Sequence, residues 1–199
     1  MIQLYEHYPE LLPIEDDINQ AIEMTIETYR NGGLVLLCGN GGSSSDSGHI
    51  LGELMKEFKV HRQGRVDLYE GLVDGIPCVD LTANHGLITA ISNDVSSDII
   101  FAQQVYVYSK NNRNNLLIGL STSGNSENVC AAFEVASMMG VKSIAFTGRK
   151  ESRLSNLASC ILMVPAIDTY RVQEYHLAIY HYICSEVERI LFDEESEDR

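Results

Sequence analysis

The sequence predicts an α/β protein: a single domain built on a doubly wound, parallel five-stranded sheet flanked by helices. Three observations predict it. Five short, mostly apolar runs, Leu34 to Cys38 continuous among them, read as buried strands. Segments with apolar residues three or four apart alternate with those runs, which implies right-handed βαβ crossovers. The length of 199 residues suffices for one compact core and is too short to argue for two independent ones.

The elements follow in order. Ile14 to Arg30 carries Ile14, Ile18, Ala21, Ile22, Thr25 and Ile26 at helical spacing and is stopped by Asn31-Gly32-Gly33. Leu34 to Cys38 reads as the first buried strand. Gly39 to Asp46 reads as a loop of glycines and helix-capping residues, with a helix from about Asp46 to Phe58 after it. Lys59 to Gly75 is polar and glycine-containing, and reads mainly as loop. Cys78 to Leu81 is the second strand, and Leu87 to Ile91 and Ile100 to Lys110 have helical spacing. Leu116 to Leu120 is the third strand, followed by a polar loop, Ser121 to Ser126, and a helix over Glu127 to Met139. Ser143 to Phe146 and Ile161 to Val164 are the last two strands, and Thr169 to Phe192 is a long closing helix. Residues 1–192 form the domain, and 193–199 form a solvated acidic tail.

Composition narrows the function. No apolar stretch approaches the roughly 18 residues that a membrane helix needs. The first 13 residues hold acids and prolines rather than a basic region and an apolar run, which argues against a signal peptide. Five widely spaced cysteines without a CxxC pair fit buried thiols in a reducing cytoplasm, not a disulfide framework or a zinc ribbon. The formal net charge of −14 repels nucleic acid and anionic membranes as partners. It also requires any phosphate site to be built locally, from backbone N–H groups and hydroxyls.

Two loops suit that task. In doubly wound sheets ligands bind beyond the carboxyl ends of the strands, at the point where the winding reverses. Ser121-Thr122-Ser123-Gly124-Asn125-Ser126 joins a strand to a helix there, offering four hydroxyls beside a helix N-terminus. Helix capping alone needs fewer hydroxyls. Gly39-Asn40-Gly41-Gly42-Ser43 is the second loop. It matches neither the Walker nor the GxGxxG pattern, and glycines there could serve a tight turn alone. His49 and Glu53 stand four apart on the following helix, so they share a face and could form half of a divalent-metal site, although such a pair is more often a solvated face. His181 stands on the closing helix between Tyr180 and Tyr182, and by itself such a residue is more often a satisfied core histidine than a ligand.

Taken together, Cys38-Gly39-Asn40-Gly41-Gly42-Ser43, then Asp46, His49 and Glu53, then Ser121 to Ser126, Arg171-Val172-Gln173-Glu174 and His181 resemble the phosphoheptose isomerases of the sugar isomerase (SIS) domain family. The resemblance implies a SIS fold with flavodoxin-like strand order. It implies conversion of sedoheptulose 7-phosphate to D-glycero-D-manno-heptose 7-phosphate through an enediol, in a cytoplasmic homotetramer with active sites near subunit boundaries. It implies zinc bound by His49, Glu53, Gln173 and His181. It implies substrate contacts from Asn40, Gly41, Gly42, Ser43, Glu53, Asn93, Asp94, Ser121, Thr122, Ser123, Ser126 and Gln173, with Glu53 and His181 as the acid–base pair. Gln173 and His181 are separated by about 12 Å of helical rise, so they reach one ion only with extended side chains or from different subunits.

Two departures from the family bear on which sugar fits. Lys56-Glu57 stands where the family usually has an arginine, and the segment from Val60 to Pro77 is longer and acidic. The rival readings are a non-catalytic SIS protein that holds a protein partner, as the family's DnaA-binding relative does, a sugar-phosphate sensor, and an isomerase of another sugar phosphate. The presence of both Glu53 and His181 favours an enzyme over the first.

Overall fold

The computed structural model describes residues 2–62, 64 and 67–193. The part of the acidic tail beyond Asp193, and Gln63, Arg65 and Val66 of the 60–77 segment, lie outside the described residues. Five strands, β1 (Val35–Gly39), β2 (Cys78–Asp80), β3 (Leu116–Leu120), β4 (Lys142–Thr147) and β5 (Cys160–Met163), form one sheet. Its order is β2-β1-β3-β4-β5 and every pair is parallel, the expected flavodoxin-like arrangement.

Strand periodicity divides the core in two. Val35, Leu37, Ile118, Leu120, Ile144 and Phe146 point to one face of the sheet, and Leu36, Cys38, Leu117 and Ala145 to the other. Helices α1 (Leu4–His7), α2 (Glu15–Arg30), α3 (Gly42–Met55) and α8 (Thr169–Glu188) supply the first face with Leu4, Ile18, Ile22, Ile50, Leu54, Ile179 and Ile183. Helices α4 (His85–Asp94), α5 (Ile100–Ser109), α6 (Glu127–Met139) and α7 (Arg153–Leu157) supply the second with Ile91, Phe101, Val105, Val129, Phe133 and Leu154. Burial of these side chains on both sides is the main stabilising term, about 1.5–3 kcal/mol for each large one. All five cysteines are buried and unpaired.

Local differences from the sequence expectation have simple causes. Helix α3 begins at Gly42, not near Asp46, because Ser43, Ser44 and Ser45 fold into its first turn, their amides bonding to the carbonyls of Asn40 and Gly41. It ends at Met55, where Lys56 turns extended. The closing helix is α-helical to Glu188 and finishes in a π-turn over Arg189–Asp193. Helix α7, held by a capping box between Ser152 and Ser155, is too short to show a period in sequence.

Candidate active site

Strands β1 and β3 are neighbours, but α3 leaves β1 for one face and α6 leaves β3 for the other. A crevice therefore opens at their carboxyl ends. The first loop meets the start of α6 there: the side-chain amides of Asn40 and Asn128 bond to each other reciprocally, at 2.8 and 3.0 Å.

The loop after β3 is shaped for an anion. Ser126 occupies the N-cap of α6 yet makes no capping bond with its side chain. Its hydroxyl pairs instead with that of Ser121 at 3.0 Å. Capping therefore does not explain the serine, and the positive end of the helix faces the crevice. Gly124 has φ +65°, and a Cβ there would lie 2.1 Å from the Ser152 hydroxyl, so the tight turn admits only glycine. Thr122 and Ser123 lie on the solvent side of the same turn, half-buried and exposed.

Helices α3 and α8 lie side by side and run in the same direction, because each leaves the carboxyl edge of its strand. Gln173 meets the first turn of α3: a Cβ on Gly42 would stand 2.6 Å from the Gln173 amide nitrogen. Further along, His49 and Glu53 meet His181. The His49 Nε2 lies 3.2 Å from Glu53 Oε1 and 3.3 Å from His181 Nε2. Ligand atoms of all three residues fall within 4.8 Å of one another. Phe58 stacks on the His181 ring at 5.6 Å and 15°. Burial holds the His181 pKa below the usual histidine value, and the neighbouring His49 adds to the effect.

This donor set fits zinc. Two imidazoles and a carboxylate are its common ligands, and at bond lengths of about 2.1 Å the edge of a tetrahedron is about 3.4 Å. The two His49 separations match that edge. Gln173 stands beside Gly42, seven helical residues or about 10 Å of rise before His49 along α3. Asn93 and Asp94 are exposed at the end of α4 and bond to each other at 2.8 Å. Among the described residues no hydrogen bond joins either to the two loops.

Two contributors, Tyr180 and Arg62, carry no pattern in the sequence. Tyr180 is almost fully buried, and its hydroxyl lies 2.9 Å from His49 Nδ1 and 3.3 Å from Asp46 Oδ1. Arg62 is buried beneath α3 and donates to the carbonyls of Glu53 and Leu54 at 3.2 and 2.8 Å. The spacing Asp46–His49 puts those two on one helix face, which was the one available sign.

Comparison with known proteins agrees with the geometry. Residues 12–148 match the SIS domain family. A phosphoheptose isomerase of Clostridium acetobutylicum is 39% identical over 183 residues, 92% of this chain and 87% of its own. One from Helicobacter pylori is 36% identical over 176 residues, covering 88% and 85%. The structure of a phosphoheptose isomerase from Francisella tularensis superposes with a TM-score of 0.77 at 31% identity, covering 88% of this chain and 86% of that one. Another from Neisseria gonorrhoeae gives 0.75 at 28%, covering 94% and 97%. With its strand order, its paired loops and its match along most of both partners' lengths, the chain belongs to the SIS domain family, in the group of the phosphoheptose isomerases.

Proposed function

We propose that this isomerase interconverts sedoheptulose 7-phosphate and D-glycero-D-manno-heptose 7-phosphate through an enediol. The observation that carries the proposal is the convergence of His49, Glu53 and His181, from helices more than a hundred residues apart, in a chain whose loop after β3 presents paired serine hydroxyls at a helix N-terminus. The names of the relatives support the sugar.

Aldose–ketose isomerisation moves a proton between adjacent carbons. It needs a base at the carbon-bound proton, an acid for the oxygens and a grip on the phosphate. Glu53 is the base: Oε1 is directed at His49, which leaves Oε2 for the substrate. His181 passes protons to and from the oxygens. The hydroxyls of Ser121, Thr122, Ser123 and Ser126 and the amides at the start of α6 hold the phosphate. Asn40, Gly41, Gly42, Ser43 and Gln173 line the other side of the crevice and orient the sugar chain. His49, Glu53 and His181 would hold zinc, which when bound supplies Lewis-acid polarisation of the carbonyl.

We further infer a cytoplasmic homotetramer. Exposed Leu12, Met55, Tyr170 and Leu177 support contacts between copies. Among the described residues no helix is long and apolar enough to cross a membrane. The non-catalytic alternative is disfavoured, because the base and the acid are both present and face the same point.

The test is a panel of ketose phosphates assayed for product. Turnover of sedoheptulose 7-phosphate well above that of pentulose and hexulose phosphates is expected. A stronger response to another sugar would replace the substrate, and no turnover of any would remove the enzyme reading.

A further inference from the structure

Asp46 presents an unexplained feature. It is half-buried on α3, one of its carboxylate oxygens has no hydrogen-bond partner, and that oxygen is shielded from solvent. An orphaned buried acceptor costs about 1–3 kcal/mol, so a compensating role is expected. Its other oxygen faces the Tyr180 hydroxyl at 3.3 Å, and that hydroxyl faces His49 Nδ1 at 2.9 Å.

Proton counting leaves two arrangements of these bonds, and acceptor strength favours one. Tyr180 has one hydroxyl hydrogen and two neighbours that could accept it. A carboxylate is the stronger acceptor. If Asp46 takes the hydrogen, the short contact to His49 is sound only if the imidazole donates from Nδ1 to the tyrosine oxygen. Nε2 is then bare, and it lies 3.2 Å from Glu53 Oε1 and 3.3 Å from His181 Nε2. The bare Nε2 can then accept the hydrogen of His181 Nε2 in the metal-free chain, or offer its electron pair, with Glu53 Oε1, to a cation.

We propose that Asp46 and Tyr180 are positioning residues: the carboxylate takes the tyrosine hydrogen, obliging His49 to keep its proton on Nδ1 and to present Nε2 as an electron-pair donor. The proposal rests on the metal reading of the cluster for its purpose, though not for its geometry. Outer groups that fix the tautomer of a ligating histidine typically raise metal affinity 10- to 100-fold.

Two measurements test it. Nitrogen NMR of metal-free protein labelled in histidine reports which nitrogen of His49 carries the proton, with His49→Gln giving the assignment. The proton is expected on Nδ1 in the native chain, with a mixture of tautomers in Tyr180→Phe and Asp46→Leu. Competition for zinc against a chromogenic chelator is expected to show affinity 10- to 100-fold lower in those variants. Asp46→Asn, whose amide oxygen still accepts, is expected to recover part of it. Circular dichroism checks that each variant is folded. An unchanged His49 tautomer in folded Tyr180→Phe would overturn the proposal. Native chain that takes up no zinc would end the metal reading alone, since the tautomer is read without metal.

Discussion

Arg62 and Glu188 form an ion pair at 2.8 Å with both side chains fully buried. The Glu188 carboxylate also accepts the backbone N–H groups of Phe58, Lys59 and Val60 at 2.7, 2.6 and 3.0 Å. The guanidinium donates to Leu54 and Glu53 carbonyls at the end of α3, groups that a helix terminus leaves unpaired. The pair therefore fastens the segment carrying Glu53 and Phe58 to the end of α8. Glu188→Leu leaves a buried guanidinium uncompensated, and a loss of about 3–5 kcal/mol is expected. Denaturant unfolding measures it. The double variant Arg62→Met/Glu188→Leu should lose less than the sum of the two single changes, and simple additivity would show that the two residues act independently.

His176 sets an acid limit on stability. It is completely buried on α8, with Nδ1 unpartnered and its ring edge-on to Phe146. Desolvation pushes its pKa down to about 4, from 6.5. The unfolded chain therefore binds a proton that the folded chain refuses. Stability from this group is fully present above pH ~6.5 and falls as the pH drops towards ~4, by up to about 3 kcal/mol in all. His176→Leu should flatten that slope in unfolding curves between pH 6.5 and 4. It orphans no carbonyl, because Thr147 O also accepts from Val164 N at 3.0 Å. An unaltered slope would place the acid sensitivity elsewhere.

Gly42 makes room for Gln173. An alanine at 42 puts a Cβ 2.6 Å from the glutamine amide nitrogen and must displace it. If Gln173 orients substrate, Gly42→Ala should raise KM roughly 5- to 10-fold, about one hydrogen bond's worth, with a smaller effect on kcat. Gln173→Ala should do the same, and the two changes together should add little. Steady-state kinetics decides, and an unchanged KM in both would take Gln173 out of the substrate site.

Metal should act on stability as well as on rate. Zinc that binds only the folded chain raises the unfolding free energy by about 2.7 kcal/mol at a hundredfold excess over Kd. Thermal unfolding of chelator-treated protein with and without added zinc should show a higher midpoint with the ion, and no such gain in His49→Gln. Equal gains in both would place the zinc elsewhere.

The fold was legible because its signals are local. Leu34–Cys38 and Leu116–Leu120 are unbroken runs without a polar side chain, and α2 and α6 carry a clear 3.6-residue period. The serines opening α3 read as loop because Ser and Gly favour turns and caps over helix interiors, and only the structure shows them in the first turn. His49 and Glu53 were visible as a pair four apart. What joins them to the rest is not periodic: Tyr180 reaches His49 across 131 positions, and Arg62 reaches Glu188 across 126. Arg62 sits in a polar stretch that gives no hint of burial.

The account turns on Glu53 moving a carbon-bound proton. The most direct measurement is deuterium incorporation into sedoheptulose 7-phosphate and its product in heavy water, for the native chain and for folded Glu53→Gln. The native chain should place deuterium on the carbons that exchange in the enediol, and the variant should do so at least about 100-fold more slowly. Exchange by Glu53→Gln within a few-fold of native would contradict the role given to this residue and to the cluster around it.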